Sequence, residues 1–151
     1  LDLPFLRGFH AMKRHINMRL RSTYEGEKNA ITALEVEHEV NQQWGPLELS
    51  TLSPGFDVFV YAMLDCQHTF FRINCAERKL LLKSAEGSIQ VTTDEDWHLE
   101  DIQVQFSGLI EGAEASGEDI DHIVSGMEKC PVSRNLKLPA AAHTTVRLAS
   151  A

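Results

Sequence analysis

One stretch constrains this chain more than any other. From Phe56 to Cys75, apolar side chains fall on nearly every side of a helical projection: Val58, Phe59, Tyr61, Ala62, Met63, Leu64, Cys66, Phe70, Phe71 and Ile73. A helix that is apolar all round is a buried helix, and about twenty residues of it run ~30 Å, roughly the width of a small domain. A single small sheet covers one side of such a helix. A second copy of the chain is the natural cover for the rest, so this segment predicts a dimer.

The remaining chain supplies strands. Lys13 to Tyr24 alternates, with Ile16, Met18 and Leu20 on one side and Arg19 and Arg21 on the other, the pattern of a half-buried strand. After a polar turn at Gly26, Ile31 to Val40 puts Leu34, Val36, His38 and Val40 on one face, which completes a hairpin. Asn41 to Gly55 reads as a loop, because Gly45-Pro46 and Ser53-Pro54-Gly55 break regular structure. Lys79 to Thr93 reads as a second hairpin turning at Ala85-Glu86-Gly87, and Leu99 to Ile110 as a further strand. Ser116, with Asp119 three residues on, reads as the N-cap of a helix striped by Ile120, Ile123, Val124, Met127 and Cys130. Pro131 breaks or restarts that helix, and Thr144 to Leu148 is a last strand. Two strands, a long helix, three strands, a helix and a strand predict an α+β fold with an antiparallel sheet. The length suits one domain over residues 1–151. Residues 1–12 read as an extension ahead of it, with Met12 a candidate natural start.

Composition removes several function classes. Lysine plus arginine number 14 against 22 aspartates and glutamates, a formal charge of −8, and no basic run offers a nucleic-acid surface. No apolar run reaches the ~18 residues needed to span a bilayer, and the first residues lack a secretory pattern. Neither nucleic acid nor membrane is therefore an expected partner. Three cysteines are an odd count, which argues against a fully paired secreted framework and for a reduced, cytoplasmic setting. No Cys-x-x-Cys or paired-histidine spacing suggests zinc; Cys66, His68 and Cys130 are the one set that could hold a metal. No cofactor motif accompanies the aromatic residues.

Cys66 and Cys130 each sit on the apolar stripe of a predicted helix. Free cysteine often fills cores. Two cysteines on separate helices could also meet across a core and exchange between dithiol and disulfide. Cys75, at the end of the long helix, matches no motif and reads as structural.

Three strings carry a family resemblance: Ser53-Pro54 before the long helix, Ala62-Met63-Leu64-Asp65-Cys66 within it, and Met127-Glu128-Lys129-Cys130-Pro131-Val132-Ser133-Arg134-Asn135-Leu136. Together with the strand pattern they resemble the OsmC/Ohr family, the osmotically inducible and organic-hydroperoxide-resistance proteins. The last string, similar to the family's second cysteine motif, is the most specific. The resemblance spans roughly 13–148. It implies an intertwined homodimer in which antiparallel sheets wrap around two central helices, with the cysteine pair near the subunit interface. It implies a thiol-dependent peroxidase of the oxidative stress response, acting on organic hydroperoxides and recycled by an external thiol. By match, Cys66 is the peroxidatic thiol and Cys130 the resolving one.

That chemistry makes a demand on charge. The thiolate is the nucleophile, and a free cysteine with a pKa near ~8.5 is mostly protonated at neutral pH. Cys66 lies well past Gly55, whereas the helix dipole fades within the first turn. Asp65 beside it raises a thiol pKa rather than lowering it. A cation is required. The family's peroxidases place an arginine after the first strand's glycine turn, where this chain has Glu27 and Lys28. They place a glutamate after the proline that starts the long helix, where this chain has Gly55, Phe56 and Asp57. At ~100° per residue Asp57 falls opposite Cys66 on an ideal helix. Arg19, Arg21, Arg134 and Lys28 are candidates for the missing arginine, and Glu48 or Asp57 for the missing glutamate.

These departures keep two other readings open. One is a catalytically inactive dimeric relative that binds a small apolar ligand. The other is a hot-dog-type thioesterase, which wraps a sheet around one buried helix and would use Asp57 or Asp65 as base.

Overall fold

The computed structural model describes residues 12–136 and 142–151; the expectation for residues 1–11 lies outside them. In chain order the elements are β1 (Arg14–Glu25), β2 (Ala30–Val40), β3 (Gln43–Pro46), α1 (Gly55–Glu77), β4 (Leu82–Thr93), β5 (Leu99–Ile110), α2 (Gly117–Met127), α3 (Pro131–Arg134) and β6 (Ala142–Ser150). The strands form one sheet in the order β3-β2-β1-β4-β5-β6. Neighbours run antiparallel except β5 and β6, which run parallel. The expected all-antiparallel sheet is thus a mixed one. Parallel neighbours need a long crossover, and the stretch through α2 and α3 provides it.

Alternation along β1 holds as expected. Met18, Leu20, Ser22 and Tyr24 are buried on the helix-facing side, and Arg19 and Arg21 point outward. The expected second hairpin does not exist: residues 82–93 are one strand, paired with both β1 and β5. Gly87 is an interior strand position, not a turn. A side chain there would run into the ring of Phe106, so the glycine permits a close approach across the sheet. The expected loop after β2 contains β3, reached through Asn41 and Gln42 in left-handed conformations, φ 52° and 63°. Pro46 is tolerated because β3 is an edge strand.

α1 lies across the inner face of the sheet. Val60, Met63, Leu64, Gln67, His68, Phe71, Asn74 and Cys75 are buried, and Phe71 stacks on Phe106 with ring centroids 5.0 Å apart. Large core side chains of this kind contribute about 1.5–3 kcal/mol each. The rest of the helix departs from the expected burial all round: Val58 and Ile73 remain 40% and 42% exposed.

α2 packs alongside α1. Ser116 caps it, accepting from the Asp119 amide at 3.1 Å while the Asp119 carboxylate accepts from the Ser116 amide at 2.9 Å, the reciprocal arrangement of a capping box. The Arg78 guanidinium donates to Asp119 at 2.8 Å, tying the end of α1 to the start of α2. Farther along, Gly126 lies directly against the Asn74 amide, where an added Cβ would overlap it. This contact sets how closely the two helices approach.

Candidate active site

Two helical segments bring the sulfur atoms together. Cys66 is carried on α1. Cys130 stands between α2 and α3: its amide donates to the Met127 carbonyl at 3.1 Å, and its carbonyl accepts from the Arg134 amide at 2.8 Å. Pro131 occupies the first position of α3, where its missing N–H costs nothing and its fixed φ suits a helix start. The chain therefore ends one helix, presents Cys130, and begins another within a few residues.

Cys66 and Cys130, 64 residues apart in sequence, are joined as a disulfide with their Cα atoms 6.0 Å apart, a separation ordinary for such a bond. Their surroundings differ. Cys130 is fully buried, whereas Cys66 keeps partial access to solvent. Cys75 is buried and free. Burial, with a smaller contribution from Asp119, pushes its thiol up to about 12, which keeps it protonated and unreactive.

Gln67 follows Cys66 and is itself buried, at 2% exposure. Its Nε2 donates to the Met127 carbonyl at 3.0 Å and to Ser133 Oγ at 2.9 Å. Its Oε1 accepts from Thr144 Oγ1 at 3.5 Å. His68 turns to the sheet instead. The Tyr24 hydroxyl and His68 Nε2 share a hydrogen bond of 2.5 Å, and the His68 ring stacks on Phe106. Burial, with a smaller contribution from Arg72, lowers the imidazole to about 4; burial raises Tyr24 to about 12. Both groups are neutral near pH 7, and His68 is a satisfied core residue rather than a partner of the cysteines. Among the described residues no group of three His, Cys, Asp or Glu side chains is arranged to hold a metal.

The supporting residues expected from sequence are dispersed. Arg21 is exposed on the outer face of the sheet, Lys28 lies in the β1–β2 turn, and Glu48 is exposed on the loop before α1. Asp57 is half-buried in the first turn of α1, and Arg134 is exposed at the end of α3. Among the described residues no ion pair joins any of them to another charged group.

Compared with solved structures, the chain is similar to an OsmC-like hydroperoxide resistance protein from Jannaschia sp. CCS1. The TM-score is 0.56 at 12% identity, over 83% of this chain and 88% of that one. It is also similar to an OsmC-like protein from Mycoplasma pneumoniae, with a TM-score of 0.50 at 10% identity, over 86% of this chain and 94% of that one. The fold is that of the OsmC/Ohr proteins. No family model and no curated protein matches the sequence, so the likeness to OsmC/Ohr structures rests on three-dimensional arrangement. The sequence singles out Cys66 and Cys130, which the structure joins, but not Gln67. Gln67 opens a short polar run, Gln67-His68-Thr69, directly after Cys66, and nothing in that run sets it apart from its neighbours.

Proposed function

We propose that this protein is a thiol-dependent peroxidase that reduces organic hydroperoxides through a Cys66/Cys130 thiol–disulfide cycle. The single observation that carries this reading is the bond between these two distant cysteines in an OsmC/Ohr fold. Their unequal burial supports the division of roles. Cys66, the partly accessible sulfur, meets the peroxide; Cys130, fully covered, resolves. The Cys66 thiolate attacks the peroxide, forming an S–O bond as the O–O bond breaks. The alkoxide takes a proton and leaves as an alcohol, and the sulfur becomes a sulfenic acid. The Cys130 thiolate then attacks the Cys66 sulfur. The S–S bond forms, the S–O bond breaks, and hydroxide leaves as water with a proton. Two equivalents of an external thiol, supplied by a cytoplasmic pool, restore both cysteines by exchange and depart as their own disulfide.

The cation this chemistry needs is best supplied by Arg134, one turn along α3 from Cys130. Arg21 is separated from Cys66 of its own subunit by the sheet. Lys28, Glu48 and Asp57 would act only across subunits or after rearrangement of the first turn of α1. The protein acts as a homodimer in this reading. The exposed Val58 and Ile73 on α1, and Ile31, Leu34 and Val40 on β2, give a second copy apolar surface to cover.

The test counts free thiols before and after one equivalent of cumene hydroperoxide. The count falls by two per chain in the wild type, and Cys66→Ser abolishes peroxide consumption. A constant count, or consumption that survives in Cys66→Ser, refutes the cycle. A second reading, an inactive relative binding a small apolar ligand, is favoured by a groove of about 700 Å3 whose apolar floor is Ile73, Ala76 and Leu81 and whose other lining residues, Glu27, Lys28, Glu77 and Lys79, are charged. Cys66 that resists alkylation at neutral pH supports that reading.

A further inference from the structure

We propose that Gln67 is a positioning residue that clamps the segment bearing Cys130 on both flanks and keeps the two thiols poised for closure when they are reduced. The clamp deepens the thiol–disulfide reading above and rests on it for its biological meaning.

The geometry is specific. A primary amide nitrogen has two N–H donors, and Gln67 directs one to Met127 and one to Ser133. These residues stand three before and three after Cys130. The amide oxygen is engaged by Thr144 on β6, so donors and acceptor are all occupied. A polar side chain in the core is costly unless its hydrogen bonds are made, and this one, almost wholly withdrawn from water, engages both N–H donors and its oxygen. Among the described residues no other side-chain hydrogen bond ties residues 127–136 to α1. Gln67 adjoins Cys66 in the chain, so one helical position presents the attacking sulfur and the next holds its partner's segment. With the disulfide open, the clamp keeps the Cys130 thiol near Cys66 and raises its effective concentration.

The experiment equilibrates the full-length protein with reduced and oxidised glutathione, so that two glutathione thiols become one disulfide for each protein disulfide opened. Alkylation and mass measurement read the dithiol fraction. Gln67→Met keeps the volume and removes the hydrogen bonds. It is expected to lower the equilibrium constant for closing the disulfide about tenfold, equivalent to ~30 mV for a two-electron couple. Ser133→Ala removes one bond and is expected to lower it roughly threefold. Met63→Leu, a volume-conserving change on the same helix, leaves it unchanged. Should Gln67→Met fail to fold, Ser133→Ala decides alone. A constant unchanged in these clamp variants, or lowered as much by Met63→Leu, overturns the proposal. The two readings fail separately. A wild type that ignores cumene hydroperoxide while both clamp variants shift the constant ends the peroxidase assignment and leaves the clamp. Normal peroxide-driven loss of two thiols with an unshifted constant does the reverse.

Discussion

Gly126 of α2 rests directly against the side-chain amide of Asn74 on α1. Asn74 is itself held in place, its Nδ2 donating to the Phe70 carbonyl at 2.7 Å. The helices therefore approach as closely as a missing side chain allows. That approach also brings the end of α2, and Cys130 beyond it, against α1.

Enlarging residue 126 should separate the two helices. Gly126→Val is expected to destabilise the fold by about 1–3 kcal/mol, the usual cost of overpacking a filled contact. It should also lower the fraction of chains that form the Cys66–Cys130 disulfide. Urea unfolding and thiol counting on the same samples measure both effects. Loss of stability without loss of the disulfide would show that this contact does not set the distance between the sulfurs.

His68 gives the fold a pH signature. Its imidazole is lowered from an ordinary 6.5 to about 4, by burial first and Arg72 second. The unfolded chain thus binds more protons than the folded one between those values, and stability rises with pH through that window. The contribution is complete above about pH 6.5, falls away as pH drops, and is gone near pH 4. A shift of this size corresponds to roughly 3 kcal/mol. Unfolding midpoints of wild type and His68→Gln, followed from pH 7 to 4, should diverge most at neutral pH and converge in acid. Parallel curves would mean that the ring titrates normally.

Asn29 holds the β1–β2 turn against the helix. Its φ is 50°. Its Oδ1 accepts from the Leu82 amide at 2.9 Å, and its Nδ2 donates to the Leu80 carbonyl at 3.0 Å. The Arg72 guanidinium donates to the Asn29 carbonyl at 3.2 Å. Asn29→Gly keeps the left-handed backbone and loses the side-chain bonds, so it should cost about 1–3 kcal/mol. Asn29→Ala loses the same bonds and adds backbone strain, so it should cost more. Equal losses in a thermal melt would mean that the positive φ carries no energy here.

Much of this architecture is visible in the residue pattern, for identifiable reasons. Strands β1 and β5 alternate cleanly because one face packs on α1 and the other meets water. The Ser116–Asp119 cap is local, so its signal lies within four residues. The errors arose where local and distant causes look alike. Gly87 resembled a turn because nothing nearby announces the Phe106 ring that requires it. Gly45-Pro46 resembled a loop because an edge strand can carry a proline that an interior strand cannot. In the site, Cys66 and Cys130 stood out through their motifs. Gln67 did not, because its partners Met127 and Ser133 lie 60 and 66 residues away. Nothing local distinguishes a clamped glutamine from a stray polar residue.

In the proposed cycle, the unequal exposure of Cys66 and Cys130 gives electron delivery a direction. An incoming thiol would meet the Cys66 side of the bond, so under that cycle the first exchange attaches the donor to Cys66 and releases Cys130 as the leaving thiolate. Bulky donors will be excluded sooner than slender ones. A trapped mixed disulfide with any of them will map to residue 66.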